Sequence, residues 1–392
     1  MRRRQLFVST LFLAAIGVLG AGQSFVERAG VVQAQSGVEA PTFEVDPLWP
    51  KPLPNHWVMG MTIGVAVDAR DHIYIVHRPG SVSAGESPAA NGNAEECCEA
   101  APPILEFDPA GNLVGSWGGS GDGYEWPESN HGLAFDHRGN LWIGGNGAND
   151  AHILKFTRNG QFVAQFGRAG ANGGSHDREN FGRVAKVFVD ALENEVYVAD
   201  GYGNRRVAVL DADSGEFKRY WGAYGNRPDD GDLGRYDPDG PPAQQFRSPV
   251  HCSELSTDRL LYVCDRANDR IQVFRPDGTF VKEQFVEKRT LSGGSVWDVA
   301  FSRDQWQTYI YLADGVNQRI HILLRDTLEV LTSFGDGGRQ PGQFYGAHSI
   351  ATDSQGNIYT TETFEGRRVQ KFVYKGIGNV PRGQQGVLWP SE

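Results

Sequence analysis

Three histidines are the residues of this chain best placed to do chemistry. Laid out on a repeated opening, x-Gly-x-Ala-x-Asp and its turn, the sequence gives a column of Ile63, His131, Ala185, His251, Trp297 and His348. Histidine fills copies two, four and six and is missing from one, three and five. With 10 histidines in 392 residues, that alternation in one chosen column has a chance of roughly one in thirty thousand, before allowing for some thirty columns. Copies arranged in a ring put alternate members a third of a turn apart, so three imidazoles would converge on the ring axis. That is the ligand set of a catalytic zinc whose fourth position stays open. The other reading of the same column is three separate tunnel histidines, each bonded to backbone or water.

Three further residues fall on the same side of the repeat, at the ends of second strands: Arg78 in Val-His-Arg, Tyr202 in Asp-Gly-Tyr-Gly-Asn and Arg266 in Cys-Asp-Arg. Tyr202 has no counterpart in the other copies. Arg78 and Arg266 stand outside the column of Arg206, Arg270, Arg319 and Arg368 on third strands, which the spacing assigns to ion pairs between blades. A structural role for all three is the competing reading.

The elements that must carry these side chains are legible in His131 to Gly167. His131-Gly-Leu-Ala-Phe alternates, Asp136-His-Arg-Gly-Asn turns, and Leu141-Trp-Ile is apolar. His152-Ile-Leu-Lys-Phe alternates again, Asn159-Gly turns, and Phe162-Val-Ala-Gln-Phe closes a four-stranded meander. One such sheet cannot bury both faces alone. Six copies occur, opening at Ile63, His131, Ala185, His251, Trp297 and His348, with second strands such as Ile73-Tyr-Ile-Val and Val196-Tyr-Val-Ala. The expected fold is all-β: a six-bladed β-propeller with four antiparallel strands per blade. The last copy ends its third strand near Tyr374 and runs into Gly376-Ile-Gly, so its outermost strand should come from Thr42-Phe-Glu-Val-Asp near the start.

Loops before first strands and after second strands share one face of a propeller. The long segments 79–103, 118–130, 222–249, 287–295 and 335–347 all belong to that face, which should therefore carry function. The Asp-, Gly- and Pro-rich piece from Arg227 to Pro242 reads either as a calcium loop or, more commonly, as a solvated one. The four cysteines suggest disulfides. Cys252 and Cys264 face each other across the fourth blade's first two strands and should be bonded. The vicinal Cys97-Cys98 is left open between a bridge and two separate thiols.

Arg2-Arg-Arg precedes the apolar run Leu6 to Ala21, followed by small-residue sites at Leu19-Gly-Ala21 and Val32-Gln-Ala34. Residues 1–35 read as an export signal, by the general or the twin-arginine route, with a membrane anchor as the alternative. Residues 36–392 then form one propeller domain in a periplasmic or extracellular setting, with no further membrane span. The net charge is −11, and without the four arginines and one glutamate of residues 1–35 it falls to −14. That argues against nucleic acid and anionic membranes as partners.

The repeats resemble NHL repeats. His131-Gly-Leu, Asp200-Gly-Tyr202-x-Asn-x-Arg206, His251 with Asp265-Arg266-x-Asn-x-Arg270-Ile-Gln, His348, and Val65-x-x-Asp with His77-Arg78 together resemble the peptidyl-α-hydroxyglycine α-amidating lyase domain. The resemblance implies zinc on His131, His251 and His348, Tyr202 as general base, and Arg78 and Arg266 around a substrate carboxylate. It implies cleavage of a carbinolamide C–N bond to an amide and glyoxylate, on a small-molecule or peptide substrate bearing a carboxylate. It also implies a structural calcium on the backbone carbonyls of Val65 and Leu133 and on an aspartate after the third histidine, where this chain has Ser349. A family methionine two residues before that histidine is Gly346. The contrasting expectation is a non-catalytic propeller that binds a protein or glycan through its decorated face, or a metal enzyme acting on another small substrate.

Overall fold

A computed structural model of the chain describes residues 37–391; the export segment expected at 1–35 lies outside them. Six four-stranded antiparallel sheets follow one another, with a separate two-stranded sheet beside them. In blade two the innermost strand is Asn130–Phe135, followed outward by Asn140–Gly145, His152–Thr157 and Phe162–Gly167, close to the meander expected from the sequence. The innermost strands of the other blades are Met61–Val67, Lys186–Asp190, Val250–Leu255, Asp298–Phe301 and Ala347–Thr352.

The repeated aspartate ends the first strand because its carboxylate makes the turn. Asp136 Oδ1 accepts the backbone N–H groups of Arg138 (2.9 Å) and Asn140 (2.8 Å). Asp68 and Asp353 do the same in blades one and six, local bonding that favours a turn over continued strand. The aromatic residue of each second strand then fills the gap between blades. Tyr74, Trp142, Tyr197, Tyr262, Tyr311 and Tyr359 are all at most 2% exposed, and burying each contributes about 1.5–3 kcal/mol. Each junction holds a large apolar cluster, from Tyr74 and Leu133 between blades one and two to Tyr359 and Ile75 between six and one, and a small seventh cluster adds Ala40, Leu331 and Val380 between five and six.

The ring is closed by its two ends, as the sequence suggested. Val38–Asp46 is the outermost strand of blade six and pairs with Val369–Val380. That partner does not stop near Tyr374. It runs on through Gly376 to Val380 because Val38 to Pro41 give its backbone a ladder to join, with a bulge between Pro41 and Phe43.

The third-strand arginines need a second correction. Arg206 bonds Asp200 (2.8 Å), Arg270 bonds Asp265 (2.7 Å) and Arg368 bonds Glu362 (2.6 Å). Each acid ends the second strand of the same blade, so these ion pairs lie within blades. Their remaining N–H groups hold carbonyls of the preceding loop, such as Asn180 O for Arg206 and Ala243 O for Arg270. In blade five, among the described residues, Arg319 donates only to Asn317 O, and Asp314 is bonded by His321 instead.

Cys252 and Cys264 are register partners and are disulfide-bonded. Cys97 and Cys98 are bonded to each other just before Glu99–Ala100, which pairs in parallel with Trp57–Val58. This small sheet ties the return limb of the 79–103 insertion to the propeller. No helix among the described residues is long and apolar enough to cross a membrane.

Candidate metal centre

Each of the three histidines sits where the ladder of its innermost strand slips. The register shifts between Asn130 and Leu133, between Val250 and Cys252, and between Ala347 and Ser349. A bulge leaves one residue unpaired and re-aims its side chain; here the side chain of that residue turns to the axis. Gly132 after the first histidine is required by close approach, since a Cβ there would meet Ala185 O at 2.5 Å.

The rings meet as a near-equilateral triangle, with centroids 4.8, 4.9 and 5.1 Å apart. One ligand nitrogen from each lies within 4.8 Å of the others, in a cluster of three buried side chains. Their outer nitrogens are tied by one rule. Nδ1 of His131 lies 2.6 Å from Ala185 O, Nδ1 of His251 2.5 Å from Trp297 O, and Nδ1 of His348 2.6 Å from Ile63 O. Every acceptor is the non-histidine member of the same column in the next blade. A carbonyl only accepts, so each Nδ1 carries the proton and each Nε2 keeps a lone pair.

Burial holds all three imidazoles neutral. It lowers His348 to about 3, helped by the Arg78 and Arg266 charges, and depresses His131 and His251 well below the usual range. Neutral imidazole is the ligating form.

Tyr202, in the loop after Glu195–Asp200, brings its hydroxyl 3.1 Å from His131 Nε2 and 3.0 Å from His251 Nε2. Arg266 Nη1 donates to the same oxygen at 3.2 Å, and its guanidinium lies over the Trp297 ring, 4.3 Å from the centroid. One hydroxyl proton cannot satisfy two lone pairs, and among the described residues no protein group donates to Nε2 of His348. Three inward acceptors therefore face one donor. The donor set fits a zinc ion, with three neutral nitrogens and outer N–H groups already anchored.

The structure brings the three histidines, Tyr202 and Arg266 into direct contact. Arg78 is near enough for its charge to depress His131 and His348, but its own bonds go to Asn130 O (3.2 Å) and Asn146 Oδ1 (2.7 Å). It lines an 840 Å³ cleft together with the apolar Trp57, Pro102, Pro103 and Trp126. Sequence reasoning missed Trp297 and Asn146 as site residues. Trp297 stood in the histidine column, a signal that was there to be used; nothing marked Asn146.

The calcium site is different. Val65 and Leu133 line a 360 Å³ cavity further along the axis together with Lys186 and Glu254. Lys186 Nζ lies 2.8 Å from Asp298 Oδ1 and 2.7 Å from Glu254 Oε1. Ser349 is uncharged and donates its hydroxyl to Asp298 at 2.6 Å. Two carbonyls beside an ammonium, with both carboxylates engaged by it, do not fit calcium, which needs six to eight oxygens. In the Arg227–Pro242 loop, Asp230 accepts from Ser175, and Asp229 and Asp232 from amides of their own loop. Among the described residues the histidine triangle is the one cluster of three or more metal-ligating side chains.

No family model matches the chain. Homologues include Peptidyl-glycine alpha-amidating monooxygenase A of Xenopus laevis, 29% identical over 236 residues, which cover 57% of this chain and 22% of that protein. Peptidyl-alpha-hydroxyglycine alpha-amidating lyase 1 of Drosophila melanogaster is 25% identical over 360 residues, 86% of this chain and 60% of the other. NHL repeat-containing protein 3 of Mus musculus is 26% identical over 264 residues, 65% of this chain and 62% of the other. The chain thus spans about a fifth of the first relative and about three fifths of the other two.

Proposed function

We propose that this chain is an exported, zinc-dependent lyase that cleaves an α-hydroxyglycine carbinolamide into an amide and glyoxylate. The carrying observation is the surplus of acceptors on the axis: three neutral imidazoles converge with Nε2 inward, and the single Tyr202 hydroxyl, itself bonded by Arg266, lies between two of them. Similarity to a named amidating lyase over most of the chain supports the choice of reaction, and two disulfides support an oxidising compartment.

His131, His251 and His348 would hold the ion, which when bound supplies a Lewis acid for the substrate hydroxyl. The remaining work belongs to the chain. Arg266 would bind a substrate carboxylate by charge-assisted hydrogen bonds, and the Arg78 charge adds to the positive potential at the histidines. Tyr202, acting as the phenolate beside Arg266 after its own proton has gone to solvent, would accept the hydroxyl proton and pass it to the leaving nitrogen. As the C–O double bond forms, the C–N bond breaks and its electrons go to the amide nitrogen, which takes up a proton. No proton is gained or lost overall. The cleft beyond Arg78, with Trp57 and Trp126 on its walls, gives room for the acyl end of the substrate.

The test is to purify the protein without a tag, measure bound metal, and follow glyoxylate release from N-benzoyl-α-hydroxyglycine. One zinc per chain with turnover is expected. Zinc-loaded protein that leaves every carbinolamide intact would refute the lyase reading, and protein without metal would turn attention to a binding role of the decorated face.

A further inference from the structure

One residue along the axis from the histidine column, the tunnel holds a positive charge of its own. Lys186 follows Ala185, Asp298 follows Trp297 and Ser349 follows His348, so blades three, five and six each send one polar side chain to the same level. The Lys186 ammonium spans Asp298 (2.8 and 3.0 Å) and Glu254 of blade four (2.7 Å). Asp298 also accepts from Ser349 Oγ (2.6 Å), from the backbone N–H of Ile350 (3.1 Å) and from its neighbour Val299 (2.9 Å). Lys186 is 8% and Asp298 1% exposed.

Charges removed from water to this degree persist only when they are paired and their hydrogen bonds are filled. Here they are. Burial raises Glu254 to about 7 against the pull of Lys186, and Arg303 lines the same cavity, so the negative charge at this level is met without any ion from solvent. A divalent cation placed there would add two uncompensated charges and meet the ammonium.

We propose that Lys186 is a covalently tethered replacement for a structural divalent cation at the centre of the propeller, and that this chain has no need of calcium. Its butylene stem comes from blade three and its three N–H donors reach blades four and five, so it links strands across the axis as a multivalent ion would. The substitution is coordinated: the position that would supply a ligand carboxylate is Ser349, whose hydroxyl serves the acid that the lysine engages.

The experiment uses the full chain and calcium alone as the probe. Calcium content after desalting is measured, and melting is followed with and without 1–10 mM (roughly 10–100 times an expected weak Kd) calcium chloride. Wild type is expected to carry less than about a tenth of a calcium per chain and to melt unchanged. Lys186→Met leaves Asp298 and Glu254 without their cation, and its melting temperature should rise by about 4 °C or more in calcium. Stoichiometric calcium in the wild type overturns the proposal, and so does a folded Lys186→Met that ignores calcium. Should that variant fold only in calcium, the proposal stands. Should it fold in neither medium, Lys186→Met/Glu254→Gln, which keeps one carboxylate, is titrated instead; indifference there also overturns it.

Discussion

Two levels of one tunnel, one residue apart on the same strands, treat polarity in opposite ways. At the histidine level three lone pairs converge and the protein provides a single hydroxyl proton to meet them. At the lysine level Lys186 pairs with both Glu254 and Asp298, and Asp298 is filled by five donor contacts from Lys186, Ser349, Ile350 and Val299. Both levels are buried, so burial does not separate them. Completeness does: the filled level holds blades together, and the unfilled level has capacity for something from outside. Function in this fold is located by looking for what the propeller has left undone.

The sharpest way to break this contrast is at the histidines. Replacing His131, His251 or His348 by alanine should drop bound zinc from about one per chain to below about a tenth, read by mass spectrometry of metal content, since two imidazoles on rigid strands cannot recruit a third. Retained metal in any one of the three would mean the triangle is not its site. Tyr202→Phe should leave zinc in place and lower turnover by about 10²–10⁴, the usual range for losing a general base; loss of zinc instead would make the tyrosine a ligand. Arg266→Ala should raise KM for carboxylate substrates by about ten- to a hundredfold, and an uncharged ester analogue should not feel the change. The smallest effect belongs to the filled level. Ser349→Ala removes one bond to Asp298 at a cost of about 1–2 kcal/mol, seen as a melting temperature lower by a few degrees with metal content untouched. A change in zinc there would show that the two levels are coupled.

Much of this was legible in the sequence, for particular reasons. The histidine column stood out because a repeat turns spacing along the chain into position around a ring. The Cys252–Cys264 bond followed from antiparallel pairing of neighbouring strands, and the closing strand from the lack of a fourth strand in the last copy. What an alignment cannot supply is the partner. Arg206, Arg270 and Arg368 share a column, yet only coordinates show that each turns back to the acid of its own blade. Gly376-Ile-Gly looks like the end of a strand until Val38 to Pro41 are seen to pair with it. The bulges that aim the histidines leave no mark in composition. Lys186, Asp298 and Ser349 lay one column from the histidines, but Ser349 was noticed only as a missing acid, since their mutual distances belong to the folded ring.

The seam of the ring falls inside the histidine triangle. Blade six takes its outer strand from Val38–Asp46, and His348 of that blade is steered by the carbonyl of Ile63 in blade one. During synthesis, therefore, the earliest part of the propeller must wait for the latest. Five blades hold two of the three histidines and, in Ile63, the carbonyl that orients the third, but not the third histidine itself. An ion held by all three histidines would require the whole circle to be joined, so its uptake would mark the end of assembly.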